Sequence, residues 1–200
     1  MNPQKETYIA QLKKAMHSYS KISEETWELM LDLFEFQTLS KGETLINAGQ
    51  TAKNIHFICK GILRSFITDA EGSVYSKNIF LENSFAATKV SLLLDTPSYF
   101  SIEALEDCIL LNFNFKKYKQ LIKEHADLKD FYIAYIEHNW IVEKEQREIS
   151  LVMDNASERY IKLLKKHPSI DQRVSKQHIA SHLGITPTQL SRIRKTLKNS

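Results

Sequence analysis

The chain is poor in the residues that build several common scaffolds. Among its 200 residues there are 2 cysteines, 5 glycines and 4 prolines. Cys59 and Cys108 are too few for a disulfide framework or an iron–sulfur ligand set, and they read as small buried residues of a cytoplasmic protein. No metal-ligand spacing, Ser-His-Asp arrangement or glycine-rich phosphate loop occurs, which argues against an enzyme and against a bound metal or cofactor. No apolar run approaches the ~18 residues of a membrane span. The N-terminal MNPQKETYIAQLKKAM also lacks the continuous apolar segment of a signal peptide. Low-complexity stretches and repeats of solenoid period are missing too.

The few glycines are unevenly placed. Gly42, Gly49, Gly61 and Gly72 fall between Phe36 and Phe115, and Gly184 follows alone. In the glycine-bearing stretch, Lys41-Gly42, Ala48-Gly49, Lys60-Gly61 and Glu71-Gly72 punctuate short β-like runs such as IHFIC, ILRSFIT and VYSKNIFL. Residues 101–113 add a strand pair turning at Glu106-Asp107, and a short helix over 86–93 interrupts the strands. This pattern predicts a small all-β barrel or roll. Glu103, Glu106 and Asp107 read as its solvated edge. Before the roll, Ser23 caps the helical SEETWELMLDLF, with Glu24 and Glu25 where the helix dipole favours them.

After the roll come a helix over 114–124 and a longer one over 127–153. Leu128, Tyr135, Val142 and Ile149 recur at seven-residue spacing, the mark of a coiled-coil face. A helix of ~27 residues extends ~40 Å, more than so small a roll can cover, so the favoured reading is a homodimer; the alternative is a long helix packed on its own β domain, a role that part of the stripe could fill. His138 and Asn139 lie in this seam as register or packing residues. Asp154-Asn155-Ala156 breaks the helix, a further helix spans 157–166, and His167-Pro168-Ser169 stops it.

The C-terminal end is basic. From Arg159 onward there are ten Lys/Arg against the single acid Asp171, whereas the rest of the chain holds 17 basic and 23 acidic residues. Such asymmetry is the electrostatic footprint of a nucleic-acid module. Residues 174–198 read VSKQHIASHLGITPTQLSRIRKTLK. Ser175 caps a first helix that buries Ile179, Ala180 and Leu183, and Gly184 makes the turn. Thr186-Pro187-Thr188-Gln189 combines a capping box with proline at the first helical position. The second helix buries Leu190, Ile193 and Leu197 and leaves Thr188, Ser191, Arg192 and Lys195 on a free face, with Gln189 and Arg194 at its margins. Two helices joined by such a turn follow the helix-turn-helix plan. The alternative is an ordinary helical hairpin whose charged face is merely solvated.

This order of parts resembles the Crp/Fnr family of bacterial transcription regulators. The residues that carry the resemblance are KGETLINAGQTAKNIHFICKGILRSF, SIEALED and IASHLGITPTQLSRIRK, and the likeness spans nearly the whole chain. It implies an α+β fold: N-terminal helices with a cyclic-nucleotide-binding-like double-stranded β-helix (β-roll) sensor domain over 1–126, a long dimerisation helix over 127–154, and a winged helix-turn-helix DNA-binding domain over 155–200. It further implies a homodimer on a near-palindromic operator in double-stranded DNA, recruiting or blocking RNA polymerase. Thr188, Gln189 and Arg192 become the base readers, Arg192 at the position where the family reads guanine. Ser175, Lys176, Gln177, Thr186, Ser191, Arg194 and Lys195 become phosphate contacts.

The resemblance fails at the effector site. Cyclic-nucleotide-binding members carry Phe-Gly-Glu and, about ten residues on, Arg-Ser/Thr. Here the stretches are Phe85-Ala86-Ala87-Thr88 and Pro97-Ser98. Losing the bidentate arginine leaves a bound phosphate poorly paired, at a cost of ~2–5 kcal/mol, so cAMP and cGMP are not expected to bind. A different small-molecule effector could occupy an altered pocket lined by Phe85, Thr88, Ser91, Pro97, Ser98 and Tyr99. Alternatively the roll is only a scaffold, its short helix filling the cavity with Leu92, Leu93 and Leu94. The cysteine cluster of the oxygen-sensing branch is missing, and His17 and His56 carry no haem motif. A protein-interaction module without DNA binding is the remaining reading.

Overall fold

The computed structural model describes residues 3–198. Strands β1 (Phe34–Leu39), β2 (Thr44–Ile46), β3 (Asn54–Lys60), β4 (Leu63–Thr68), β5 (Val74–Phe80), β6 (Phe85–Ala86), β7 (Ser101–Ala104) and β8 (Cys108–Asn114) form the body. They make two antiparallel four-stranded sheets, ordered β1-β8-β3-β6 and β2-β7-β4-β5. Strand alternation turns Leu39, Ile58, Leu63, Ile102, Ala104, Cys108 and Leu110 into one buried cluster shared by both sheets. The β3–β4 turn needs Gly61. Its φ is +101°, and a Cβ there would lie 2.5 Å from Cys108 Sγ and 2.8 Å from the Asp107 carbonyl oxygen, so neither the backbone nor the space admits a side chain.

Helices cover one sheet. α1 (Pro3–His17) and α2 (Glu24–Leu31) precede the strands, and α4 (Phe115–Glu124) and α5 (Ala126–Ile136) follow them. Leu12, Met16, Trp27 and Met30 pack with Phe57, Phe85, Phe113, Tyr118, Leu128 and Phe131 in a second core. As expected, Ser23 caps α2 by accepting the Thr26 N–H. Its own N–H donates to Asp127 at 2.8 Å, which ties α2 to α5. The short helix α3 (Lys89–Leu94) starts later than expected because Phe85–Ala86 pairs as a strand. Of its leucines only Leu92 is buried. Leu93 and Leu94 are 56% and 67% exposed and fill no cavity.

The long helix is not the regular heptad seam that the spacing suggested. Between α5 and α6 (Glu143–Met153) the residues Glu137–Val142 are π-helical. Each residue added to a turn rotates the downstream helix by about 100°, so a seven-residue spacing no longer marks one face. Leu128 is wholly buried in its own chain, and Tyr135 packs against Tyr19, Phe85 and Phe131. These two leave the expected seam. Val142 and Ile149 remain exposed at 45% and 53%, alongside Val152 at 83% and Met153 at 76%. Asn139 donates to the Tyr135 carbonyl and the Tyr19 hydroxyl, a packing role within one chain.

After Asp154 the chain is helical. α7 (Ala156–Lys166) opens on a capping box between Asn155 and Glu158, and α8 (Ile170–Arg173), α9 (Lys176–Leu183) and α10 (Pro187–Lys198) follow. Residues 155–198 contain no strand, so the expected wing is not found among the described residues; the short α8 connects α7 to α9 instead. Tyr160, Ile170, Val174, Ile179, Ala180, Leu183 and Leu190 form the core of this unit, and Ile62 and Leu105 of the roll complete it. Leu197, expected to be buried, is 38% exposed. Among the described residues no helix is long and apolar enough to cross a membrane, and no group of three His, Cys, Asp or Glu is placed to hold a metal.

Candidate nucleic-acid interface

The α9–α10 turn is built by local chemistry that the sequence announces. Ser175 Oγ accepts the His178 N–H. Gly184 ends α9 in the left-handed region at φ +69°, and the Ile185 N–H returns to the Ala180 carbonyl at 3.0 Å. Thr186 Oγ1 accepts the Gln189 N–H at 3.1 Å, and Gln189 Oε1 accepts the Thr186 N–H at 3.0 Å. The capping box therefore forms, with Pro187 at the first helical position.

That box removes half of one candidate. Reading adenine requires both the oxygen and the nitrogen of an amide, and the Gln189 oxygen is engaged at the helix start. Only its Nε2 remains for a base edge. Thr188, Arg192 and Lys195 are exposed, as the reading of that face required, and so are Ser175, Gln177 and Thr186. Lys176 Nζ donates to Ser191 Oγ at 2.9 Å, and Ser191 Oγ donates to the Pro187 carbonyl at 3.0 Å. Lys176 and Ser191 thus brace the two helices at the candidate surface.

Arg194 is a correction. It does not reach out toward phosphates. Its Nε donates to the Tyr160 hydroxyl at 3.1 Å, its Nη2 donates to Asp171 at 2.7 Å, and the Tyr160 hydroxyl donates to the same carboxylate. The three side chains lock α7, α8 and α10 together. Other cations of the basic end are similarly committed. Arg159 donates to the Asp154 and Leu183 carbonyls, Lys162 pairs with Asp154, Lys166 pairs with Glu143, and Arg173 pairs with Glu82 and Glu106. Among the described side chains, the positive charge left to face a partner is smaller than a residue count implies, and it is concentrated on Lys165, Lys176, Arg192 and Lys195.

The opposite side of α9 docks on the roll. Ser181 Oγ accepts the Ser76 N–H at 2.8 Å and donates to the Val74 carbonyl at 3.0 Å, while the Nδ1–H of His182 donates to the Ser76 carbonyl at 3.3 Å. Burial and then Arg147 push His182 down to about 4, which keeps it neutral. Burial alone would raise the Glu82 carboxyl, but Arg173 and the Gly61 N–H outweigh it and hold it below the usual range. The expected solvated edge holds for the exposed Asp107 and is corrected for Glu103 and Glu106. Glu103 pairs with Arg64 at 2.6 Å, Glu106 takes Arg173, and Asp107 accepts the Lys41 N–H at 2.9 Å. No local signal singles out Ser181, His182, Arg173 or Glu82, because their partners are distant in the chain.

The six residues expected to line an altered effector pocket have the following places in the fold. Phe85 belongs to the outer core, with its ring 5.2 Å from Phe57 and 5.3 Å from Tyr135. Ser91 Oγ accepts the Ala52 N–H and donates to the Thr96 carbonyl; Ser98 Oγ exchanges bonds with the backbone of Phe100. Pro97 bridges to Thr51 at the surface, and Tyr99 is 81% exposed. Thr88 is buried with its hydroxyl unpaired. The hydroxyls of Ser91 and Ser98 thus serve the loop, whereas that of Thr88 does not.

Comparison with known proteins agrees with this architecture. Residues 36–125 match the cyclic nucleotide-binding domain family. No curated protein matches the chain. Among solved structures, FixK2 from Bradyrhizobium japonicum superposes with a TM-score of 0.70 at 16% identity, over 84% of this chain and 85% of that one. The c-di-GMP responsive global regulator CLP of Xanthomonas campestris gives 0.67 at 14% identity, over 88% and 92%. The catabolite activator protein of Thermus thermophilus gives 0.52 at 18% identity, over 89% and 84%. At these identities the likeness is one of fold.

Proposed function

We propose that the chain is a dimeric, sequence-specific DNA-binding transcription regulator of the Crp/Fnr type that does not respond to cAMP. The observation that carries this reading is the α9–Gly184–α10 pair, rigidly capped and braced, with Thr188, Arg192 and Lys195 exposed on one face. α10 enters the major groove. Arg192 donates to guanine O6 and N7, while Thr188 and the free Nε2 of Gln189 reach neighbouring base edges. Lys195, Ser175, Gln177 and Thr186 take phosphates and set the register. Arg194 acts from behind by fixing α10 against α7 and α8.

A second copy joins along the exposed apolar residues of the long helix, Val142, Ile149, Val152 and Met153, which would bury apolar surface now open to water. A two-fold pair of α10 helices calls for a near-palindromic operator in double-stranded DNA with half-sites ~34 Å apart, where the dimer recruits or blocks RNA polymerase. The cyclic-nucleotide grip is missing at Ala86-Ala87 and Pro97-Ser98, and the serines of that loop are occupied by backbone.

The test is an electrophoretic mobility shift on the DNA upstream of the protein's own coding region, against a random duplex of equal length, with and without cAMP. The reading expects preference for one duplex, a dimer in the shifted complex and no response to cAMP. Equal affinity for both duplexes would overturn sequence-specific binding, and saturable micromolar cAMP binding would overturn the second half of the proposal.

A further inference from the structure

Three turns of the roll present one patch to the helices that follow Asp154. The β3–β4 turn supplies Gly61 and Ile62, the loop between β5 and β6 supplies Glu82, and the β7–β8 turn supplies Leu105 and Glu106. They are bonded to one another. Glu82 Oε1 accepts the Gly61 N–H at 2.9 Å, and the Leu105 N–H donates to the Ile62 carbonyl at 2.8 Å. Ile62 and Leu105 are buried in the core that Ile170, Val174 and Ile179 form. Arg173 spans the two acids. Its Nη1 and Nη2 donate to the two carboxylate oxygens of Glu82 at 2.9 and 2.5 Å, and Nη2 also donates to Glu106. A guanidinium that forks onto one carboxylate and reaches a second fixes direction as well as distance.

This is the first of two anchors. At the second, Ser181 and His182 bond the backbone of Val74 and Ser76 on β5. The 8 residues of α9 run between the anchors, a helix ~12 Å long. One anchor would let the helix pivot; two that are separated fix its direction against the roll. α10 follows, because Arg194 ties it to Tyr160 on α7 and Asp171 on α8. The extended backbone at Asp154, between α6 and α7, is itself bridged. Lys162 pairs with the Asp154 carboxylate at 2.6 Å, and Arg159 donates to its carbonyl at 2.6 Å. These contacts leave Thr188, Arg192 and Lys195 exposed.

We infer that the roll sets the orientation of α10, and that Arg173, Glu82 and Glu106 are positioning residues that determine which half-site spacing a dimer accepts, without touching DNA themselves. The inference rests on the DNA-binding reading. One base pair inserted between half-sites moves the second by ~3.4 Å along the duplex and turns it by ~35°. A dimer that holds both α10 helices firmly accepts one spacing, whereas a dimer whose helices pivot accepts several. The roll thereby acts on operator choice with no solute bound.

The experiment compares the full chain with Arg173→Gln, Arg173→Lys and a roll variant that combines Glu82→Gln with Glu106→Gln. Its first arm uses no DNA and reads amide hydrogen exchange. Arg173→Gln should speed exchange at Ser76, which lies at the other anchor, about tenfold or more while the amides of β8 keep the wild-type rate. Arg173→Lys, which keeps the charge without the fork, should fall between. Unchanged exchange at Ser76, or equal acceleration in β8, would overturn the coupling of the two anchors. The second arm measures affinity for operators with one or two base pairs inserted or removed between half-sites. Off its preferred spacing the wild type should lose ~100-fold in affinity, the forfeited tethered contact. Arg173→Gln and the roll variant should each shrink that loss about tenfold while binding a single half-site as the wild type does. Anchor coupling in a protein that shifts no duplex would overturn the regulator reading and the spacing role with it. Specific duplex binding with a wild-type spacing profile in both variants would overturn the spacing role alone.

Discussion

Ser181 on α9 accepts the backbone N–H of Ser76 at 2.8 Å, so a helical side chain closes the free edge of the β2-β7-β4-β5 sheet. Unpaired strand edges invite other strands, and here the same hydroxyl returns a bond to the Val74 carbonyl. Ser181→Ala strands the N–H of Ser76, a wholly buried residue. It should cost ~1–3 kcal/mol in chemical denaturation and speed amide exchange at Ser76, whereas Ser181→Thr keeps the hydroxyl and loses less. An unchanged exchange rate in Ser181→Ala would show that this bond does not hold the edge.

Three cations of α10 should separate by their salt response. Arg192→Ala should lose ~1–3 kcal/mol on the specific operator alone and relax preference at one base pair. Lys195→Ala should weaken every duplex alike and reduce the slope of log affinity against log salt by about one. Arg194→Ala should leave that slope intact, because its guanidinium lies between Tyr160 and Asp171, while lowering the melting temperature. Titrations at several salt concentrations distinguish these outcomes. A reduced slope in Arg194→Ala would place its guanidinium on a phosphate.

What was legible in the sequence was local. The Thr186–Gln189 box, the Ser23 and Ser175 caps and the Gly184 turn depend on neighbours within a few residues, and the structure forms each of them. The glycine-marked strands were readable for the same reason. The heptad over Leu128–Ile149 misled because periodicity assumes a constant turn, and the π-helical Glu137–Val142 changes it. The basic end was overcounted as an interface because charge composition does not reveal which cations already have partners, as Arg159, Arg173 and Arg194 do. Partners such as Ser181 with Ser76 or Arg173 with Glu82 exist only once the chain has folded back on itself.

Acid should loosen the contact between α9 and the roll before it touches the carboxylates. His182 is pushed down to about 4 by burial and Arg147, against an unfolded value of about 6.5. Between these values the unfolded chain takes up a proton that the folded chain refuses. Stability from this group is therefore complete above the unfolded value, falls as pH drops toward about 4, and changes no further below it. Burial shifts His56, His167 and His178 in the same direction. Glu82 and Asp127, whose carboxyls are held low, lose their contribution at lower pH still. His182→Asn keeps a donor for the Ser76 carbonyl without titrating, so its melting temperature should decline less steeply through the histidine range. A decline as steep as wild type would remove His182 from the account.

The two halves of the long helix should respond oppositely to substitution. Leu128 is wholly buried beside Phe131 and the α2 residues Trp27 and Met30, so Leu128→Ala should cost ~2–5 kcal/mol and lower the melting temperature of the chain itself. Ile149 is 53% exposed in the single chain, on the same segment as Val152 and Met153. Ile149→Glu changes a position largely open to water within one copy and places a charge in the face assigned to a second. Sedimentation equilibrium should therefore show the wild type and Leu128→Ala as dimers and Ile149→Glu as monomers. The monomer should also lose operator binding, because one α10 alone reads a single half-site and forfeits the tethered second contact. A dimer that survives Ile149→Glu and Met153→Glu together would place the interface elsewhere.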